Sequence, residues 1–335
     1  MKVLFSCSLP FFLAHGGSQT LTEALMRELS ALGIEVEPAR WWDENQTGDI
    51  IHYINRPATL NVRLGHQKGF KIMMTDLLDQ TASRSALRLF LQRNFRRISG
   101  RILPRFTGQL NWEVFRELDA MVYSVPHEWE VAKYLFGADP RRGYVIPHGL
   151  EEDALRELAQ PQEEGDYLIS IASIHPRKNT LLLAEAAVRA KTPIVFLGKP
   201  YAKDDPYFLR FQKLIDNRYV RYPGFVPSEE KYRWLRGARG FALLSQFESG
   251  CIAVFEAAGA GLPLLLSDLP WARKSYPEAR GIHFTKITAA EQMAPFLARF
   301  YQHAHRQPGA AFPILSWREV ARRYRSIYEK LVSAD

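Results

Sequence analysis

Short apolar runs alternate with amphipathic helical runs from one end of this chain to the other, and that alternation leaves few folds open. In the first half the strand-like runs are residues 3–7, 49–54, 70–75, 119–124 and 144–147. In the second half they are residues 167–172, 193–198, 220–222, 240–245, 263–267 and 281–284. Strands of this kind, separated by helices, mean parallel sheets covered on both faces. At 335 residues there is room for two domains, each with its own core. The polar, acidic stretch 151–166, with Gln160-Pro161-Gln162-Glu163-Glu164-Gly165 inside it, reads as a linker. The expected architecture is α/β: two doubly wound, Rossmann-like parallel-sheet domains, residues 1–152 and 153–315, and a helix over 316–335 that crosses back to the first. Ligands of such sheets bind beyond the carboxyl ends of the strands, here in a cleft between the two domains.

Other global features narrow the setting. No apolar run reaches about 18 residues, so no membrane-spanning helix is expected. Pro10 and His15-Gly16-Gly17 interrupt the apolar start, which reads as a first buried strand rather than a signal peptide. Cys7 and Cys251 cannot build a disulfide framework, which fits a reduced, cytoplasmic location. The net charge, 44 − 36 = +8, favours an anionic partner. Thr288 with Glu291, and Ser316 with Glu319, have capping-box spacing, and Ser18 and Ser228 are candidate N-caps. Trp317, Val320, Tyr324, Ile327, Tyr328 and Leu331 form one stripe of the last helix.

Glu248 and Glu256 stand eight residues apart, between an apolar strand and the small residues Ala257, Ala258 and Gly259. A loop carboxylate at a strand's carboxyl end can meet sugar hydroxyls. The N-terminus of the next helix favours a diphosphate, and a carboxylate along that helix can take both hydroxyls of a ribose. Two glutamates at this spacing also arise by chance, as a surface loop residue and a helix residue with no shared task. Arg177 and Lys178 follow directly after another buried strand, where one can grip phosphate oxygens bidentately and the other act as a point charge. Two ordinary solvated charges are the plainer reading. In Tyr222-Pro223-Gly224-Phe225-Val226-Pro227, Gly224 lets the backbone approach a base edge, or simply makes a turn. There is no Asp-x-Asp pair and no Cys-x-x-Cys, and His303 with His305 reads as the polar end of a surface helix, so no metal is expected.

Taken together, His175-Pro176-Arg177-Lys178-Asn179, Gly224-Phe225-Val226 and the segment from Glu248 to Pro270 resemble the C-terminal half of retaining, nucleotide-sugar-dependent glycosyltransferases of the GT-B fold, family 4 (group 1). The likeness is strong over residues 165–285. It is looser in the first half, through His15-Gly16-Gly17, Asp49-Ile50-Ile51-His52, Asp119-Ala120-Met121-Val122 and Val145-Ile146-Pro147-His148-Gly149.

The resemblance implies that Glu248 contacts the donor sugar and Glu256 the ribose, while Arg177 and Lys178 neutralise the diphosphate. It implies that the backbone of Gly250, Cys251 and Ile252 meets sugar and phosphate, that Gly224, Phe225 and Val226 contact the base, and that Gly16 and Gly17 form a loop beside the phosphates. Asp76 and His148 fall on the acceptor or sugar side. Two departures stand out: Thr75 where the family often has a histidine facing the donor sugar, and His148 where it tends to have asparagine. The implied activity is transfer of a sugar from a nucleoside-diphosphate sugar of the UDP or GDP type, with no cofactor, to a saccharide or lipid-linked acceptor. The acceptor hydroxyl attacks from the leaving-group side. A sugar-nucleotide epimerase using His15, His52, His148 or Asp76, or a non-catalytic nucleotide-sugar-binding scaffold, are the alternatives. His15-Gly16-Gly17 is not a dinucleotide fingerprint, so a dehydrogenase fits poorly.

Between Asp79 and Glu113 there is no acid and no lysine, but Arg84, Arg88, Arg93, Arg96, Arg97, Arg101 and Arg105. Leu87, Leu91, Phe95, Ile98 and Ile102 recur at helical spacing, with Arg93, Arg97 and Arg101 on a different face. Residues 84–105 read as a helix for an anionic membrane surface, which suits peripheral attachment to the inner face of a membrane. The plainer reading is a helix packed on the first domain with a solvated basic side. No nucleic-acid-binding motif is present, and no nucleic acid is expected as partner.

Overall fold

The structure is a computed structural model that describes residues 1–7, 11, 16–102, 111–161, 165–276 and 280–333. His15, Arg105 and residues 162–164 of the expected linker lie outside the described residues, as does the side chain of Arg101. The chain divides into two compact units, Met1–Gly149 with Leu315–Asp335, and Leu150–Ile314.

The first unit holds a six-stranded sheet of β1 (Lys2–Cys7), β2 (Glu35–Pro38), β3 (Ile50–Ile54), β4 (Lys71–Thr75), β5 (Ala120–Tyr123) and β6 (Gly143–Val145), in the order β2-β1-β3-β4-β5-β6. Every pairing is parallel. β2 is absent from the sequence expectations: it is an edge strand with Glu35 and Glu37 exposed or half-exposed and Pro38 at its end, so it carries no buried apolar run. The C-terminal helix Trp317–Val332 belongs to this unit and packs on the helix Gly17–Ala31. Its capping box is formed, with Ser316 Oγ accepting from Glu319 N at 3.2 Å and Glu319 Oε2 from Ser316 N at 2.8 Å. Trp317, Val320, Tyr324, Ile327 and Tyr328 are buried along its stripe.

The chain enters the second unit through β7 (Gly149–Leu150). There the sheet comprises β8 (Leu168–Ile171), β9 (Ile194–Leu197), β10 (Val220–Gly224), β11 (Gly240–Leu243), β12 (Leu264–Ser267) and β13 (Ile282–Thr285), in the order β10-β9-β8-β11-β12-β13. Successive strand residues feed opposite layers, as the pleat requires. Ile169, Val195, Leu197, Phe241, Leu264 and Leu266 pack with Val254, Phe255 and Trp271 on one face. Leu168, Ile194, Phe196, Ala242 and Leu265 pack with Leu183, Phe211 and Leu297 on the other. Burial on both faces is why these strands read as unbroken apolar runs.

The structure corrects several local expectations. Residues 152–158 are not linker but the helix Glu152–Leu158, with Ala154 and Leu158 buried in the second unit's core. The helices expected to start with Ser18, Ser228 and Thr288 caps instead have Gly16, Pro227 and Ala289 at the N-cap, with no side-chain cap bond. Glu291, the expected capping-box acid, pairs with Arg189 at 2.7 Å instead. The arginine-rich run forms the helix Ala86–Ile102, shorter at its start than the expected 84–105, and its apolar stripe Leu87, Leu91, Phe95, Ile98 and Ile102 is exposed, unlike the plainer reading of a packed helix. Among the described residues no helix is long and apolar enough to cross a membrane.

Candidate active site

The second sheet reverses direction between β8 and β11: the chain runs outward from β8 through β9 to β10, then returns to β11 on the other side. Loops diverge at such a switch point and leave room for a ligand beyond the carboxyl ends. The two loops that leave β8 and β11 carry Arg177 with Lys178 and Glu248. Strand order thus brings together charges 70 residues apart in sequence.

Short bonds fix the geometry of these loops. After β8, Ile174 bridges to Pro200, and Pro176–Lys178 forms a single 3₁₀ turn. His175 Nδ1 accepts from Arg177 N at 3.1 Å, and burial, with Arg177 beside it, holds the imidazole below its usual pKa. Asn179 takes a left-handed conformation (φ 50°) and donates from Nδ2 to Leu244 O at 2.7 Å, while Gln246 N donates to Arg177 O at 2.8 Å. The exit of β11 is braced beneath by Trp271 Nε1 and Ser267 Oγ, which donate to Ser245 O at 2.9 and 2.6 Å.

On this frame Glu248 is buried between two cations. Its Oε1 accepts from Lys178 Nζ, and its Oε2 lies 3.3 Å from Arg177 Nη1. Arg177 Nη1 also donates to Phe247 O at 2.9 Å, and its guanidinium lies over the Phe247 ring at 5.2 Å. Burial alone pushes the Glu248 pKa up, but the Lys178 and Arg177 charges outweigh it and hold the carboxyl below its usual range. The cations assigned to a diphosphate are therefore both partnered by Glu248. Next comes Gly250 at φ 61°, which favours glycine, and then Cys251 at the N-cap of the helix Ile252–Gly259. Burial and the Glu248 charge push the Cys251 thiol up to about 11, so it stays protonated and unreactive.

Glu256 lies one turn into that helix, buried, and its Oε1 accepts from Lys231 Nζ at 2.5 Å. Burial works against the Lys231 charge, but the Glu256 carboxylate prevails and raises the ammonium pKa. Sequence reasoning missed Lys231. Its signal was its place four residues after Pro227, in the first turns of the helix Ser228–Arg236 that follows β10. It also missed Lys199, after β9, whose Nζ lies 5.1 Å from the Phe225 ring centre. Phe225 is 74% exposed, and Gly224 before it sits at φ 89°, so the expected base-contacting loop presents an open aromatic ring next to a cation. Arg177, Lys178, Glu248, Gly250, Cys251, Ile252 and Glu256, with Gly224, Phe225 and Val226, thus belong to strand exits and helix starts of one sheet edge. A cavity of about 350 Å³ near β13, lined by His283, Phe296 and His303 among others, lies at the sheet's outer edge and includes none of them.

The candidates in the first unit are placed differently. Gly16 has φ 153°, a backbone that only glycine adopts readily, and leads Gly17 into the first helix. Thr75 is buried, its Oγ1 lying 2.8 Å from His52 Nε2 and 3.1 Å from Tyr324 OH. His52 Nδ1 is 2.8 Å from Tyr328 OH, and burial lowers the imidazole pKa to about 3. Asp76 is buried against Arg56 at 3.3 Å, and burial raises its pKa despite that charge. His148 is buried with Nε2 at 3.1 Å from Ser124 Oγ. These groups are tied into the core, which removes the reason to read His52 as an acid or base.

The comparisons with known proteins agree with this layout. Residues 151–299 match the family described as Glycosyl transferases group 1. Over 121 residues the chain is 27% identical to O-antigen chain mannosyltransferase B of Escherichia coli, a stretch covering 34% of this chain and 31% of that protein. Among solved structures, AviGT4, a glycosyltransferase involved in Avilamycin A biosynthesis, is 17% identical with a TM-score of 0.63 over 100% of this chain and 98% of its own. Alr3699/HepE of Anabaena, solved with UDP and glucose, is 13% identical with a TM-score of 0.63, covering 100% and 99%. WaaG, a glycosyltransferase involved in lipopolysaccharide biosynthesis, is 15% identical with a TM-score of 0.59, covering 99% of each chain. The chain has the GT-B fold, and its second unit carries a group 1 glycosyltransferase domain.

Proposed function

We propose that this chain, a GT-B-fold protein with a group 1 glycosyltransferase domain, is a retaining enzyme. It moves a sugar from a nucleoside-diphosphate sugar to a hydroxyl of a saccharide or lipid-linked acceptor, in the cytoplasm, during polysaccharide synthesis. The observation that carries the reading is the Arg177–Lys178–Glu248 cluster at the switch point of a sheet that matches the family. The UDP and glucose of Alr3699/HepE and the O-antigen and lipopolysaccharide roles of two relatives support the donor class and the saccharide acceptor.

In this reading the anomeric C–O bond breaks and its electron pair passes to the diphosphate. Arg177 and Lys178 stabilise that charge where it develops. The acceptor oxygen bonds to the anomeric carbon on the same face, and its proton goes to a donor phosphate oxygen. Glu248 orients the two cations and meets the sugar; Glu256, with Lys231, holds the ribose. Retention then needs no second carboxylate, unlike a glycosidase that works through two.

The test is to incubate the full chain with UDP- and GDP-sugars and saccharide acceptors, reading nucleoside diphosphate release and the anomeric configuration of product by NMR. Acceptor-dependent release with the donor's configuration kept is expected. An inverted linkage overturns retention, and a new sugar nucleotide without release of diphosphate overturns transfer.

A further inference from the structure

Among the described residues nothing covers the apolar side of the helix Ala86–Ile102. Its large apolar residues run from 53% exposed at Phe90 to 70% at Ile102, with Leu87, Leu91, Phe95 and Ile98 between. At about 100° per residue, all but Phe90 fall within one arc of roughly a quarter of the helix circumference. Leu89, roughly opposite the middle of that arc, holds the helix to its unit, joining the core with Val114, Phe115 and Leu135; Ser99, on the flank between, is buried with its Oγ donating to Phe95 O at 2.6 Å. The exposed stripe is therefore not the packing face. Arg88 borders it on one side; on the other, Arg97 lies about 80° beyond Leu87, next to Phe90, and both arginines are exposed. Arg93, one turn before Arg97 on the same face, lies over the Tyr134 ring at 4.4 Å.

We propose that this face docks on an anionic bilayer surface, with the apolar stripe in the acyl boundary and Arg88 and Arg97 among lipid phosphates. Two observations favour a bilayer over a protein. The charge is of one sign, since no acid occurs between Asp79 and Glu113. A second copy would therefore set arginines against the same arginines across a two-fold interface. A continuous apolar strip edged by arginines is also the pattern of a helix lying in the lipid interface. The proposal is separate from the transfer chemistry, because vesicle binding and diphosphate binding are read independently.

The experiment is sedimentation of the full chain with phosphatidylcholine vesicles, with and without phosphatidylglycerol, across a salt series. Wild type is expected to bind only the anionic vesicles and to release as salt rises. Leu91→Ser with Phe95→Ser and Ile98→Ser removes three inserted side chains and is expected to lower partitioning about 100-fold or more. Arg88→Glu with Arg97→Glu is expected to lower it about tenfold or more. All five side chains are exposed, and only Phe95 of the five makes a ring contact among the described residues, edge-on to Trp112 at 6.5 Å, so both variants should stay folded with at most a small loss of melting temperature and should keep wild-type nucleoside diphosphate affinity. Hydrogen exchange on wild type, which needs no variant, should slow in residues 86–102 when anionic vesicles are added. Wild type that ignores anionic vesicles at low salt, or a triple-serine variant that binds as wild type does, overturns the proposal. So does self-association of wild type that the triple-serine variant abolishes, which would assign the face to a second copy.

Discussion

Replacing Glu248 by glutamine keeps the shape of the side chain and removes its charge, and the two consequences pull in opposite directions. Lys178 and Arg177 lose their common partner. At an effective dielectric near 20, a unit pair at the 3.3 Å of Arg177 and Glu248 attracts by about 5 kcal/mol before desolvation is counted. Most of that is offset by desolvation, and leaving buried charge unpaired costs a net of about 1–3 kcal/mol of folding stability. A diphosphate on the same cations would stand at roughly twice that separation from the carboxylate, so Glu248 opposes it by about 2.5 kcal/mol per unit charge before screening; solvent and counter-ions leave about 1.4–2.7 kcal/mol in all. Glu248→Gln should then bind UDP or GDP about ten- to a hundredfold more tightly, while the ligand-free protein melts lower and regains stability on ligand addition. Sugar transfer should fall, since the proposed sugar contact is lost. The wild-type carboxyl has a lowered folded pKa, so its contribution is complete above the unfolded value of 4.5 and fades as pH drops through the folded value. The variant should lack that acid-side loss. Calorimetric titration and thermal melts across pH measure all of this. Unchanged or weaker diphosphate binding in Glu248→Gln would show that the cations it holds are not the diphosphate's.

Three further outcomes follow from the geometry. Arg177→Ala and Lys178→Ala should each lower turnover about 100-fold or more at saturating donor, as loss of one charge-stabilising donor does, without unfolding the chain; stopped-time assays of diphosphate release check this. Glu256→Ala should weaken UDP or GDP affinity and also lower the melting temperature, because the half-buried Lys231 is left without its carboxylate; restoration of affinity by Glu256→Gln would argue that shape, not charge, holds the ribose. His52 is neutral when folded, with its pKa lowered from 6.5 to about 3, so its contribution is complete above 6.5 and is lost as pH falls towards 3. Urea unfolding should show up to about 1.4 kcal/mol per pH unit in that window, and His52→Gln should flatten the slope.

Both sheets were readable from sequence because their inner strands, β4, β5, β8, β9, β11 and β12 above all, are buried on both faces or nearly so, and such strands leave unbroken apolar runs. The outer strands β6, β10 and β13 are only half-buried but still carry apolar residues. β2 escaped because an edge strand of Glu-Val-Glu-Pro has no such run. The Glu248, Glu256, Arg177 and Lys178 positions were visible as types and spacings. That Glu248 clamps both cations was not, since only the placing of β8 beside β11 makes them neighbours. Lys231 was hidden for the same reason. The capping box at Ser316 formed as its spacing implied, whereas the one at Thr288 did not, because that helix starts one residue later, with Ala289 at its N-cap, and Glu291 pairs with Arg189. Periodicity disclosed the apolar stripe of the helix Ala86–Ile102 but could not say that its packing face lay roughly opposite, around Leu89.

The central claim is that the cations after β8 receive a diphosphate. It is tested most directly by calorimetric titration of UDP and GDP into the full chain and into the variant carrying both Arg177→Ala and Lys178→Ala. The account predicts that at least one nucleoside diphosphate binds wild type at a single site and binds the double variant at least a hundredfold more weakly, with the circular dichroism spectrum unchanged. Binding of equal strength to both proteins, or no binding of either nucleotide to wild type, would contradict it.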